Sequence, residues 1–157
     1  SGMIGSRILK EATKRGHCVI GASRNPDRIA GGANVRAVML DARDKDALLT
    51  AVKKADLIVS ATSPRSSGDT MQEALVVAET EIAVAKATGK RLVIVGSAGT
   101  LRLPDGRAGV EALPEKGQEE GRAMRGVLDA LKASDADWTF FCPPVSISPG
   151  SSRFIST

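Results

Sequence analysis

Five short runs rich in β-branched or aromatic residues recur along the chain, at 17–22 (HCVIGA), 35–40 (VRAVML), 57–60 (LIVS), 92–95 (LVIV) and 138–142 (WTFFC). The runs lack the strict apolar/polar alternation of a strand with one wet face, so they read as strands covered on both sides. Patterns of helical period fall between them. Ile4, Ile8 and Ala12 share a face of a first helix, and a second helix starts near Asp44. Met71, Leu75, Ala78, Ile82 and Ala85 share a face of a third, and Met124, Val127, Leu128 and Leu131 of a fourth. Thr70 and Glu73 have the spacing of a capping box that opens the third helix, and Gly89 closes it. Strands and helices in this order predict an α/β fold, a doubly wound parallel sheet with helices on both faces. One feature departs from that scheme. The chain opens on a helix, whereas a doubly wound sheet carries its first strand at the centre; the expectation is a sequence lacking that strand. The long stretch from Ser97 to Gly117 is a candidate substrate lid.

A chain of 157 residues suffices for one core without staples and reads as a single domain over 1–157. Cys18 and Cys142 are far apart and form neither a metal-ligand spacing nor a disulfide framework. No apolar run reaches the roughly 18 residues of a membrane span, and no basic start leads into an apolar run, so a cytoplasmic protein without a membrane partner is expected. Charge is uneven: residues 1–60 hold 11 Lys/Arg against 6 Asp/Glu, and residues 61–157 hold 11 against 12. Nucleic-acid binders add stacking aromatics to such an excess, but here there are only Trp138, Phe140, Phe141 and Phe154. A small phosphorylated molecule is the expected partner, not a nucleic acid.

Ser1-Gly2-Met3-Ile4-Gly5 runs straight into the first helix. Behind a strand ending in Gly-Ala it would complete a G-x-x-G-x-x-G dinucleotide fingerprint, in which glycine lets the backbone approach pyrophosphate and the helix N-terminus receives its charge. The alternative is a flexible end. The next strand ends in Ser23-Arg24-Asn25-Pro26-Asp27-Arg28, with no carboxylate directly after it. A carboxylate there would select NAD through the ribose hydroxyl, whereas a guanidinium grips the extra phosphate of NADP. Arg24, with Ser23 and Arg28 assisting, favours NADP(H) over NAD(H), unless Arg24 is a solvated loop charge or Asp27 turns inward. Asp41 and Ala42 end the following strand, where Asp41 either holds adenine or caps the next helix. Ala61, Thr62 and Ser63 follow the run at 57–60 and would border the ribose and nicotinamide side. Ser97 follows the run at 92–95, facing either a reacting group or its own backbone.

These residues resemble a group of atypical short-chain dehydrogenase/reductases that contains biliverdin reductase B and bacterial NADH-flavin reductases. The likeness rests on SGMIGSRIL, GASRNP, VIVGSAGTL, LPEK followed by EEGRAM, and DWTFFCPP. It implies a Rossmann fold, NADPH as usual cofactor, flavins or linear tetrapyrroles as substrates rather than bound groups, and a monomer or homodimer. It also implies Gly2, Met3, Ile4 and Gly5 as phosphate loop, Arg24 as the 2′-phosphate contact, Asp41 and Ala42 at adenine, and Thr62 and Ser63 at the ribose. Ser97 becomes the active-site serine, and Pro143, Pro144 and Val145 the wall beside the nicotinamide. The sequence departs from the group at Gly117-Gln118, where a Tyr often stands, and after Gly150, where the closing SSRFIST resembles a segment from further downstream. An omission after Gly150 is therefore expected beside the missing first strand.

No tyrosine occurs in the chain. Carbonyl reduction with a Tyr of a Y-x-x-x-K pair as general acid is thereby excluded for this sequence. Hydride transfer to a delocalised acceptor such as a flavin remains, with proximity as the protein's main contribution. The alternative is a non-catalytic NADP-binding redox sensor or regulator.

Overall fold

A computed structural model describes residues 2–64 and 68–147. Ser1, Phe154 and the SSRFIST segment lie outside the described residues. Helices form where the periodicity places them: α1 Met3–Lys14, α2 Lys45–Val52, α3 Thr70–Thr88 and α4 Glu115–Ala133. The start of α3 differs from the expected box. Asp69, not Thr70, is the N-cap, its carboxylate accepting the Gln72 N–H at 2.9 Å, and Thr70 is already helical. The preceding Gly68, at φ +82°, lets the chain turn so that the carboxylate reaches that N–H. Asp44 does the same for α2 through the Ala47 N–H at 2.9 Å. Gly89 ends α3 in the left-handed conformation, φ +64°, as expected.

The strands are β1 Val19–Ser23, β2 Val35–Met39, β3 Leu57–Ser60, β4 Arg91–Val95 and β5 Trp138–Phe141. All pairing between them is parallel, in two ladders: β1 with β2, and β3-β4-β5 in that order. The doubly wound scheme has spatial order 3-2-1-4-5-6. Here β2-β1 match its 3-2 and β3-β4-β5 its 4-5-6, and β1 and β3 are not hydrogen-bonded to each other. The chain thus carries parallel sheets flanked by helices, the Rossmann-type arrangement that the sequence predicts.

Coverage of the two faces is unequal. The core gathers Leu48 and Val52 of α2, Ala78, Ile82 and Val84 of α3, Met124, Val127 and Leu131 of α4, and Ile58, Leu92 and Ile94 of the strands. Helix α1 packs on β1 but has no buried residue. Along β3, Ile58 and Ser60 are buried whereas Leu57 and Val59 are exposed. The expectation that this run is covered on both faces is therefore not met: successive side chains point to opposite faces, and only the α2–α4 side is packed.

The stretch after β4 is shorter in loop than expected. It contains two single 3-10 turns, Ala98–Thr100 and Gly109–Ala112, joined by an antiparallel bridge between Arg102 and Ala108. Gly99, Thr100, Gly109 and Leu113 are buried, and a Cβ on Gly99 would stand 3.2 Å from the Gly121 Cα of α4. Its tip, Pro104 to Arg107, is exposed throughout.

Candidate functional site

Ligands of parallel sheets lie outside the carboxyl ends of the strands, where backbone groups and helix N-termini are left without partners. At the start of α1, Gly2 is the N-cap in extended conformation (φ −81°, ψ 179°), and no side chain caps the turn. The first turn holds no acidic residue, so its N–H groups and the helix dipole present undiluted positive potential. A Cβ added to Gly2 would meet nothing within 4 Å, leaving open space above the turn. Gly5 faces β3's exit: a Cβ there would lie 3.8 Å from that of Ala61. The opening turn and the 61–63 segment are thus neighbours, as the sequence reading requires.

The ends of β1 and β2 bring together Arg24, Asp41 and Ala42. The backbone joins them through the Leu40 N–H, which donates to the Ser23 carbonyl at 3.0 Å. Asp41 does not cap α2, because Asp44 takes that role; it binds Arg43 instead. The Arg43 guanidinium donates to Asp41 from Nε at 3.0 and 3.2 Å and from Nη2 at 2.5 Å, and the Arg43 N–H donates to it at 3.0 Å. Hydrogen bonds from the Arg43 side chain and backbone hold the Asp41 carboxyl down at about 2, and the positive charges of Arg43 and Arg24 add to the effect. Asp41 is thus bound by Arg43 and acted on more weakly by the charge of Arg24. Arg28 is exposed at the end of the turn Pro26–Arg28, and the Ser23 hydroxyl accepts the Asn25 N–H at 3.2 Å.

The next strand ends carry hydroxyls. Thr62 is exposed with Oγ1 3.3 Å from the buried Ser60 Oγ, and the Ser63 hydroxyl donates to Glu120 of α4 at 3.2 Å. Ser97 accepts the Gly99 N–H at 3.1 Å, the local bond that a Ser in such a turn makes. That bond leaves the hydroxyl proton for a second partner. The Gly96 N–H donates to the Phe141 carbonyl at 2.8 Å, which sets Ser97 beside the segment holding Pro143, Pro144 and Val145. Pro143 is buried, whereas Pro144 and Val145 are exposed. A Cβ on Gly96 would fall 2.1 Å from the Phe140 ring, so a larger residue there would displace the ring.

Three residues of this region were not legible as site residues. Arg43 hides among the mixed charges of 41–46, and only its place directly after a strand end marks it. Ser60 reads as the last residue of a strand. Glu81 falls inside an apolar helical stripe, where a carboxylate is itself the signal.

The residues present fit a nicotinamide dinucleotide: an uncapped helix start for pyrophosphate and a cationic cluster at the second strand's end. A family model described as NAD(P)H-binding matches residues 1–155. A search among curated proteins finds no match. Among solved structures, a candidate exported protein from Burkholderia pseudomallei is 36% identical, with 90% of this chain and 68% of that one covered at a TM-score of 0.74. A candidate epimerase from Bacteroides thetaiotaomicron is 29% identical over 96% and 70%, at a TM-score of 0.86. A candidate NADH-flavin reductase from Streptococcus pneumoniae is 25% identical over 98% and 72%, at a TM-score of 0.77. With a family match that runs across every strand end just described, this chain is a member of the NAD(P)H-binding family.

Proposed function

We propose that the chain is an NAD(P)H-dependent oxidoreductase that prefers NADPH and passes hydride to a flavin or a similar planar acceptor. The observation that carries the cofactor preference is the Asp41 carboxylate bound by Arg43 and acted on by the charge of Arg24, at the ends of β2 and β1. An unopposed carboxylate there would repel a 2′-phosphate; a carboxylate already committed to Arg43 leaves the local field cationic. Bound reduced nicotinamide supplies two electrons as a hydride. Gly2 to Gly5 would hold the pyrophosphate, Asp41 and Ala42 border the adenine, and Thr62 and Ser63 border the ribose and the nicotinamide side, where the acceptor would lie. Ser97 and the Pro143–Val145 wall would position the acceptor. The flavin acceptor draws support from the absence of tyrosine, since a delocalised ring stores the incoming charge without an acid of the Tyr-Lys type. The name of the Streptococcus pneumoniae relative points the same way.

The test is steady-state oxidation of NADPH with FMN or riboflavin as acceptor. Turnover is expected. Tight NADPH binding without turnover contradicts the enzyme and favours a redox sensor. Arg24→Ala should weaken NADPH by about 1.5–3 kcal/mol, the loss of a charge-assisted hydrogen bond, and leave NADH nearly unchanged. Equal losses for both cofactors contradict the assignment of Arg24.

A further inference from the structure

Glu81 sits on α3 among Ala74, Ala78, Ile82 and Ala85 and is 5% exposed. The Ser60 hydroxyl, itself buried at the carboxyl end of β3, lines the same small cavity as the Glu81 carboxyl and acts on it. Ser60 Oγ stands 3.3 Å from Thr62 Oγ1, and Thr62 is exposed beside the opening turn of α1. A cavity of about 20 Å³ touches all three residues, room for about one water. Three exchangeable protons thus line up from the core to the site, in a chain that lacks a tyrosine acid.

We propose that Glu81, Ser60 and Thr62 form a proton relay that supplies the proton taken up by the acceptor during its reduction. The proposal rests on the oxidoreductase reading and adds the source of the proton to it. The acceptor gains two electrons with the hydride and then needs one proton. The Thr62 O–H bond breaks as the bond from that hydrogen to the acceptor forms. Thr62 Oγ1 takes the Ser60 hydroxyl proton, Ser60 Oγ takes the Glu81 carboxyl proton, and Glu81 is left as a carboxylate. After product leaves, one proton from water returns along the same path, so the net change is one proton consumed per acceptor reduced. Glu81 is suited to this because burial raises its pKa to about 7, against the smaller lowering by the Ser60 bond.

Among the described residues that line the cavity, Glu81 is the one charged group. The cavity residues from β4 and α4 are Ile94, Met124 and Val127. On α4 the Glu120 carboxylate is engaged by Ser63. Helix α2 also packs on α3, but its buried residues are Leu48 and Val52, and Lys45 and Asp46 are exposed. Among the described residues, the pH response of this cavity therefore belongs to Glu81.

The experiment measures NADPH oxidation with FMN across pH, NADPH affinity by fluorescence, and the ¹³C-carboxyl NMR titration of Glu81, in the wild type, Glu81→Gln and Ser60→Ala. The expected wild-type kcat falls as pH rises through about 7, with the Glu81 resonance titrating at the same midpoint. Each variant should lose that limb and turn over roughly a hundredfold more slowly at about pH 6, with NADPH affinity within about twofold of wild type. Ser60→Ala interrupts the path while keeping the Glu81 carboxyl, so the result stands even where Glu81→Gln folds poorly. Turnover with an unchanged rate and pH profile in both variants overturns the relay alone, as does a Glu81 carboxyl already ionised at about pH 6. Binding of NADPH without turnover of any acceptor overturns the oxidoreductase reading and the relay with it.

Discussion

Glu81 shows what a single residue contributes against the grain of its environment. A carboxylate in a nearly dry cavity loses its hydration, so the folded chain favours the protonated form and the pKa rises from 4.5 to about 7. The unfolded chain releases the proton near the ordinary value. Between the two values the native state binds the extra proton, and stability falls as pH climbs through that window. Glu81→Gln removes the dependence. Its stability relative to wild type should rise by on the order of 3 kcal/mol between about pH 5 and about pH 8 and then level off, as read from urea midpoints. A difference that stays flat with pH would mean that the carboxyl is hydrated. Asp41 has the opposite sign, since Arg43 holds its pKa down, but its exposure to water screens the effect. Neither residue's environment was readable beforehand. Periodicity assigns Glu81 to a helix face without saying that the face is closed by a neighbouring strand's hydroxyl. The sequence leaves Asp41 between adenine contact and helix cap, and only the guanidinium two residues later resolves its local partner.

At the scale of elements, glycine at close backbone crossings decides how the stretch after β4 is held. A Cβ on Gly109 would stand 2.7 Å from the Leu101 carbonyl oxygen and 2.8 Å from that of Ala98. Both are backbone atoms, and neither moves without opening the turn. On Gly121 the Cβ would meet the tip of the Leu113 side chain at 2.7 Å, an atom that a rotamer change can displace. Gly109→Ala should therefore cost about 1–3 kcal/mol by denaturant unfolding and raise amide exchange over residues 98–113, and Gly121→Ala should cost less. The reverse order would show that the segment is not seated on α4 as described. Helix and strand placement was largely legible, because apolar period and Gly89 report directly on local geometry. The Asp69 cap was missed because Thr70-Met71-Gln72-Glu73 satisfies a known pattern one residue too late. The seating of 97–117 on α4 was missed because it depends on glycines meeting across long sequence separation, which no local pattern encodes.

For the whole molecule, the basic excess of the first 60 residues acquires a location. Arg24 and Arg43 belong to the β1-β2 ladder, whereas the hydroxyl-bearing ends of β3, β4 and β5 belong to the other. In the proposed reading, one ladder would offer charge for phosphate, and the other hydroxyls and an apolar wall for the reacting end. Among the described residues no helix is long and apolar enough to cross a membrane. The alternation of runs foretold the parallel order but not the unequal packing of the two faces, which depends on how many helices each side receives. The central claim is that a dinucleotide lies across the carboxyl ends of both ladders, from the α1 turn to the end of β2. Titrating the isotope-labelled chain with NADPH and following backbone amide shifts by NMR tests it most directly. The largest shifts should fall on Gly2 to Gly5, Arg24, Asp41 to Arg43 and Ala61 to Ser63, with those at Arg24 and Arg43 much reduced when NADH replaces NADPH. Shifts confined to the far end of α3, around Glu79 to Lys86, or none at saturating NADPH, would contradict it.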